Sequence, residues 1–130
     1  MKANDGIKKI LMVDDDEVHL LIANSILKDK YETISAKSGK EAISLITKGL
    51  VPSLILLDVL MPEMDGWETY NIIKGISLLQ NVPIVFLTTL DGENERQYAA
   101  RLGAADLITK PCHGDELLEK IGKIIDSRTE

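Results

Sequence analysis

Five short stretches of apolar or alternating residues recur along the chain. They are Lys9–Val13, Tyr31–Ala36, Leu54–Leu57, Ile84–Leu87 and Asp106–Thr109. Short runs that are rich in aliphatic and β-branched side chains are typical of strands. Most of these runs are apolar at successive positions, which favours a parallel sheet covered on both faces. The second run alternates instead, so we expect a half-buried or edge strand there.

The segments between these runs carry apolar residues at helical spacing. Stripes stand at Val18, Leu21, Ile22 and Ile26, at Ala42, Leu45 and Ile46, and at Leu117, Leu118, Ile121, Ile124 and Ile125. Glu68–Lys74 and Glu93–Leu102 are predicted to form two further helices, the second of which ends at Gly103. Ser38 to Glu41 has the pattern of a capping box before the second helix.

Five strand–helix repeats predict one α/β domain with an open sheet. We expect this domain to take up residues 1–130, with its core at about residues 9–126, and we expect no effector domain in the chain.

Composition and charge narrow the class of protein. The chain has 130 residues, of which 45% are hydrophobic and 4% aromatic, so the core is expected to be aliphatic. The formal net charge of −6 argues against direct binding to nucleic acid. Cys112 is the one cysteine, so no internal disulfide can form. No apolar run approaches the roughly 20 residues that cross a bilayer, and the first residues do not resemble a signal peptide. The expected location is the cytoplasm, without a membrane partner.

Polar and charged side chains stand where four of the predicted strands end. Asp14, Asp15 and Asp16 follow the first, Asp58 the third, Thr88 and Thr89 the fourth, and Lys110 the fifth. Ligands of open α/β sheets bind beyond the carboxyl ends of the strands, so these groups are expected to meet at one edge. Clustered carboxylates repel one another unless a cation joins them, and hard oxygen ligands select Mg²⁺ or a similar ion such as Mn²⁺. A lysine and a hydroxyl beside such an ion make a site for a phosphoryl group.

Each of these side chains also has a purely structural interpretation. Asp15 or Asp16 fits the N-cap of the first helix, and Asp58 fits a turn. Thr88 could satisfy a local backbone group, and Lys110 could be a solvated surface charge. Taken singly, these interpretations are at least as good as a functional one. The combination of these groups at four strand ends favours a functional site.

Several stretches resemble the receiver domains of response regulators in two-component signal transduction. They are Ile10–Glu17, Leu57–Gly66, Thr88 and Lys110-Pro111. The string Asp-x-x-Met-Pro-x-Met-Asp-Gly, which starts at Asp58, is the most specific of them. The resemblance extends from Ile10 to Ile125. It implies a flavodoxin-like fold, with a five-stranded parallel sheet in the order 2-1-3-4-5 and five helices on both faces.

The resemblance implies a phosphorylation site with a divalent cation. Asp58 would accept the phosphoryl group from a sensor histidine kinase, a phosphotransfer protein or a small donor such as acetyl phosphate. Asp15 would bind Mg²⁺ or Mn²⁺ directly, and Asp14 would do so directly or through water. Asp58 and the backbone carbonyl of Leu60 would be further ligands.

The resemblance also implies how the signal would leave the site. Thr88 would bind the phosphoryl oxygen and move on activation, which would change binding to a protein target or to an effector domain. Lys110 would pair with Asp58 before the reaction and with the phosphoryl group after it, and its bond to Pro111 would be cis. The chain departs from the usual pattern at Leu107, where an aromatic residue is common, and at Thr89 and Cys112. These departures leave the mode of output open.

Two other functions compete with this one. Asp14-x-Asp16 resembles the nucleophile motif of haloacid-dehalogenase-type phosphatases, in which case Asp14 would carry the phosphoryl group. The second alternative is a receiver that binds partners without being phosphorylated. His19 and His113 lack metal-ligand spacing with another histidine or cysteine, so both are expected to be solvated.

Overall fold

Five parallel strands form the sheet, one from each of the predicted runs. In the computed structural model, which describes residues 7–127, they are β1 (Lys8–Val13), β2 (Tyr31–Ala36), β3 (Leu54–Leu57), β4 (Ile84–Thr88) and β5 (Asp106–Thr109). Their order across the sheet is β2-β1-β3-β4-β5, and every neighbouring pair is parallel. The predicted fold class and strand order are therefore confirmed.

Five α-helices connect the strands. They are α1 (Glu17–Leu27), α2 (Gly39–Thr47), α3 (Gly66–Lys74), α4 (Glu93–Leu102) and α5 (Gly114–Asp126). The α4 helix has the predicted bounds, and Gly103 ends it in a left-handed conformation (φ 99°) that glycine adopts without steric cost. The α3 helix begins two residues before its predicted start, because Asp65 and Glu68 form a reciprocal capping box there.

The predicted capping box at α2 is only half formed. The Ser38 side chain accepts from the Glu41 backbone N–H at 3.0 Å, as the pattern predicts. The Glu41 carboxylate accepts instead from the backbone N–H of Lys37, one residue before the cap, at 2.7 Å. Both bonds satisfy donors near the start of the helix, so the helix is still capped.

The two faces of the sheet bury separate aliphatic clusters. Along β1, Leu11 and Val13 face the cluster that α2, α3 and α4 cover. Ile10 and Met12 face the opposite cluster, which α1 and α5 cover. Alternation of this kind is expected of a strand, and burial on both sides explains why the strands read as continuous apolar runs. Within residues 7–127, no helix has the length and apolar character required to cross a bilayer.

The apolar stripe of α1 predicted the helix but not its buried face. Val18, Leu21 and Ile22 are 60%, 67% and 53% exposed. The buried residues are Leu20, Ala23 and Leu27. Both sets have helical spacing, so spacing alone could not select the face that packs on the sheet.

Candidate functional site

Two neighbouring strands place the buried carboxylates at the same level of the sheet edge. The backbone N–H of Asp14 donates to the Ala36 carbonyl at 3.0 Å, and that of Asp58 donates to the Val13 carbonyl at 2.9 Å. These bonds extend the ladders of β1 by one step and hold both aspartates directly beyond their strands. Asp14 and Asp58 are only 7% and 6% exposed.

Three carboxylates come together as the sequence predicted. Asp14, Asp15 and Asp58 each offer one oxygen, and these oxygens lie within 4.8 Å of one another. Asp16 does not belong to this group, because it caps α1 by accepting from the backbone N–H groups of Val18 and His19. The structural interpretation is therefore correct for Asp16 and leaves Asp15 exposed beside the two buried acids. Three carboxylate oxygens are a hard donor set that suits Mg²⁺ or Mn²⁺.

Asp58 lies in surroundings that disfavour its charge. Burial raises the pKa of this carboxyl above its ordinary value, and the nearby Asp14 also raises it. The Lys110 charge, the Thr88 hydroxyl and the Val59 backbone N–H, which donates to Asp58 Oδ1 at 2.8 Å, act in the opposite direction. Because burial is the largest of these effects, a bound cation would relieve an unfavourable charge.

Lys110 enters the acidic cluster from β5. Its Nζ donates to Asp14 Oδ2 at 2.7 Å and lies 3.7 Å from Asp58 Oδ2. Its backbone N–H donates to the Thr88 carbonyl at 2.8 Å, and its peptide bond to Pro111 is cis, as the resemblance implied. The ammonium group is thus shared between both buried carboxylates and lies closer to Asp14.

Thr88 ends β4 with its side chain fully buried. Its hydroxyl lowers the pKa of Asp58 by hydrogen bonding and accepts from the Leu90 backbone N–H at 3.3 Å. The next residue, Thr89, is exposed. One hydroxyl therefore faces the acidic cluster, and it is the one that the sequence predicted.

The loop after Asp58 returns tightly against its own start. The backbone N–H groups of Met61 and Gly66 both donate to the Val59 carbonyl, at 3.1 and 2.8 Å. A Cβ on Gly66 would lie 2.2 Å from the Asp58 carbonyl oxygen, so glycine is required at that position. The loop contains Leu60, whose side chain is exposed. The shape of this loop thus follows from the way it closes over Asp58.

His19, which was expected to be solvated, is 35% exposed and also contacts the site. Its Nδ1 lies 2.7 Å from Lys110 Nζ and 3.4 Å from Asp14 Oδ2. Lys110 is 91 residues away in the chain, so no local pattern indicates this contact. His113, the other histidine, is exposed as expected.

Side-chain contacts join α4 to β5 and to the start of α3, away from the acidic cluster. Leu107 is buried, and Arg96 on α4 donates to its carbonyl at 3.3 Å and to the Thr109 hydroxyl at 2.8 Å. Trp67 packs edge-on against Tyr98 of α4, with ring centroids 4.8 Å apart. These contacts tie α4 to β5 and to the start of α3 without an aromatic residue at position 107.

Comparisons with known proteins agree with this geometry. The family model of the response regulator receiver domain matches residues 10–122. Response regulator PleD of Caulobacter vibrioides is 36% identical over 114 residues, which are 87% of this chain and 25% of PleD. The structure of chemotaxis protein CheY4 of Vibrio cholerae matches with a TM-score of 0.85 and 29% identity, over 91% of this chain and 98% of that one. A CheY-like receiver domain protein from Methanospirillum hungatei matches with a TM-score of 0.84 and 29% identity, over 93% and 95% of the two chains.

The chain is shorter than many of the curated relatives that it matches. It spans 25% of the length of PleD and about half the length of relatives that are named as regulators of transcription. The match concerns the part of those proteins that this chain resembles, and their other activities are not carried over.

Proposed function

Because the chain belongs to the response regulator receiver family, we propose that it is a phosphorylation-dependent switch in which Asp58 accepts the phosphoryl group. The observation that carries the proposal is the convergence of Asp14, Asp15 and Asp58 with the Lys110 ammonium at the carboxyl edge of the sheet. A buried group of this kind is costly to maintain for stability alone. Its arrangement suits the transfer of a group that carries negative charge.

The reacting group is the Asp58 carboxylate. One of its oxygens attacks phosphorus, the bond from phosphorus to the donor nitrogen or oxygen breaks, and an acyl phosphate forms on Asp58. A Mg²⁺ or Mn²⁺ ion held by Asp14, Asp15, Asp58 and the Leu60 carbonyl would neutralise charge on the transferring oxygens. Asp58 reacts as the ionised form, and Lys110 counters the effect that burial has on its pKa.

Lys110 and Thr88 convert the chemical step into a structural change. The Lys110 ammonium already lies between the two buried acids, so it can transfer to a phosphoryl oxygen on Asp58 with a small movement. The Thr88 hydroxyl is buried on the same side and can turn toward that oxygen as a donor. A movement of Thr88 would be passed to Leu90 and the start of α4 through the Leu90 N–H bond.

The donor would be a sensor histidine kinase or a phosphotransfer protein, and the output would go to a protein target or an effector domain. PleD and the relatives named as regulators of transcription are longer than this chain, which supports an output through other protein segments. The location that we propose is the cytoplasm.

Phosphoryl uptake from acetyl phosphate tests the proposal. The chain should gain one phosphoryl group by intact mass in the presence of Mg²⁺ and should gain none when EDTA replaces the cation. An Asp15→Asn variant should need much more Mg²⁺ for the same rate. No uptake by the wild-type protein at saturating Mg²⁺ would favour a receiver that binds partners without phosphorylation.

A further inference from the structure

His19 makes a contact that the proposed reaction does not yet use. The Nδ1 atom of this α1 residue lies 2.7 Å from Lys110 Nζ, which is the same distance that separates Nζ from Asp14 Oδ2. The Lys110 side chain is only 12% exposed, so little water competes for its ammonium group, whereas the His19 side chain is 35% exposed. The imidazole therefore contributes directly to the position of Lys110.

We propose that His19 is a positioning residue that holds the Lys110 ammonium toward Asp58. This inference rests on the proposed function, because it assigns His19 a part in the same phosphoryl transfer. It concerns a contact between α1 and β5 that is specific to the side chain at position 19.

The donor count of the ammonium group supports this role. A lysine ammonium has three N–H donors and no acceptor. Two of them can be donated to Asp14 and His19, each 2.7 Å from Nζ, which leaves the third for Asp58, whose Oδ2 is 3.7 Å away. Because His19 does not occupy the third donor, it orients the ammonium without competing with the phosphoryl group.

The contact gains importance when a cation is bound. Asp14 is a member of the carboxylate cluster, so a divalent ion would draw its negative charge away from Lys110. His19 is a neutral acceptor that has no share in that cluster. His19 would then hold the Lys110 ammonium in the site while Asp14 binds the cation.

The geometry also defines the form of the ring. Nδ1 accepts from Lys110, which requires a neutral imidazole with its proton on Nε2. That nitrogen lies 3.7 Å from Asp16 Oδ2.

Variants that differ in where they place an acceptor test the proposal. In Asn the Oδ1 atom is bonded to Cγ, as Nδ1 is in histidine, whereas in Gln the amide oxygen lies one bond further out. We expect His19→Leu to slow phosphorylation by acetyl phosphate at saturating Mg²⁺ by about tenfold. The loss of one hydrogen bond to a charged group is enough to change a rate by that factor or more. We expect His19→Asn to recover most of the rate and His19→Gln to recover little.

The role of Lys110 in the effect is tested by combining variants. In a Lys110→Ala background, His19→Leu should cause no further loss, because the residue acts through the lysine. Ser25→Ala changes an exposed position of the same helix and should react at the wild-type rate. Equal rates in His19→Leu and wild type, or an equal loss from His19→Leu with and without Lys110, would overturn the inference.

A measurement without phosphorylation separates this inference from the proposed function. Nitrogen NMR of the imidazole should show a neutral ring with the proton on Nε2, and the Nδ1 resonance should shift in Lys110→Ala. If the wild-type chain took up no phosphoryl group but the resonance behaved this way, the function would be wrong and the contact correct. A ring with its proton on Nδ1 would overturn the contact itself.

Discussion

The positive charge of Lys110 lies between two buried carboxylates, those of Asp14 and Asp58. The ammonium lies 2.7 Å from Asp14 and 3.7 Å from Asp58, so in this state it is closer to the residue that is not the proposed phosphoacceptor. A phosphoryl group on Asp58 would reverse that preference by adding oxygens and negative charge. The position of the Lys110 ammonium should therefore change when Asp58 is phosphorylated.

We expect Lys110→Arg to bind Mg²⁺ with nearly wild-type affinity but to respond poorly to phosphorylation. The guanidinium is larger and planar, so it cannot move between the two buried acids as a compact ammonium does. The Mg²⁺ dependence of Trp67 fluorescence reports binding, and the change in backbone amide spectra on phosphorylation reports the response. A wild-type spectral change in Lys110→Arg would contradict the role of Lys110 as the moving charge.

We propose that two leucines shield the acyl phosphate and lengthen its life. The resemblance to receiver domains implies that the residues two positions past the phosphoacceptor and two past the switch hydroxyl flank the path of the attacking water. Here they are Leu60, which is exposed, and Leu90, which is half-buried against the cluster of the α2–α3–α4 face. Neither side chain can hold a water molecule by a hydrogen bond.

We therefore expect Leu60→Asn, Leu90→Glu and the double variant to hydrolyse the acyl phosphate faster than the wild type. A tenfold change requires only about 1.4 kcal/mol in the barrier, which one water contact can supply. The decay of the phosphorylated species after removal of the donor measures the effect. Leu78→Asn, an exposed leucine after α3, serves as the control and should decay like the wild type. Equal or slower decay in all three variants would contradict shielding by the leucines.

Helix α1 combines a buried face with an exposed apolar face. Leu20, Ala23 and Leu27 pack on the sheet, while Val18, Leu21 and Ile22 remain exposed. The helix begins next to Asp15, and its residue His19 contacts Lys110. We therefore expect a protein that brings a phosphohistidine to Asp58 to cover this exposed face.

We expect Val18→Ser and Leu21→Ser to weaken phosphoryl transfer from a donor protein while leaving uptake from acetyl phosphate unchanged. The donor is a purified sensor kinase or phosphotransfer protein that phosphorylates the wild-type chain. The initial rate at low donor concentration should fall several-fold, because each side chain would lose apolar contact area. Ile72→Ser, on the exposed face of α3, is the matched control. Equal losses with acetyl phosphate would indicate damage to the site itself and would contradict docking on α1.

At the level of elements, apolar patterning predicted strands better than it predicted helix faces. The runs at Leu54–Leu57 and Asp106–Thr109 match β3 and β5 residue for residue. The β3 strand is apolar and buried at every position, as expected of a strand that is covered on both faces. The buried face of α1 was not predictable, because two apolar stripes share one helix. The early start of α3 depends on the capping bonds between Asp65 and Glu68, which only the folded chain makes visible.

The site as a whole was predictable because the fold makes strand ends meet. Asp14, Asp58, Thr88 and Lys110 are far apart in sequence, yet a parallel sheet in this order brings their strand ends together at one edge. The contact of His19 with Lys110 was missed for a related reason. The contact depends on which face of α1 packs on the sheet, and helical spacing alone does not determine that face.

The buried Asp58 carboxylate should lower the free energy of unfolding of the whole domain at neutral pH. Asp58 has a raised pKa in the fold, chiefly because of burial, so the unfolded chain loses this proton at a lower pH than the folded chain does. The free energy of unfolding therefore declines as pH rises from the ordinary pKa of aspartate through the raised one, and the loss is complete above it. Asp58→Asn removes this loss.

In the absence of divalent ions, we expect Asp58→Asn to have a higher Tm than the wild type at neutral pH, with a difference that shrinks on acidification. Mg²⁺ should raise the Tm of the wild type more than that of Asp58→Asn, because the ion binds the folded carboxylate cluster. Thermal unfolding at several pH values, with EDTA and with Mg²⁺, checks both expectations. A lower Tm for Asp58→Asn at neutral pH in EDTA would contradict the raised pKa.

The identity of the phosphorylated residue is the central claim, and chemical trapping tests it most directly. Borohydride reduces an aspartyl phosphate to homoserine, which peptide mapping locates in the chain. After reaction with acetyl phosphate and Mg²⁺, homoserine should appear at position 58 in the wild type, and Asp58→Asn should yield none there. Homoserine at position 14 in the wild-type protein would contradict the account and would favour a phosphatase-like use of Asp14.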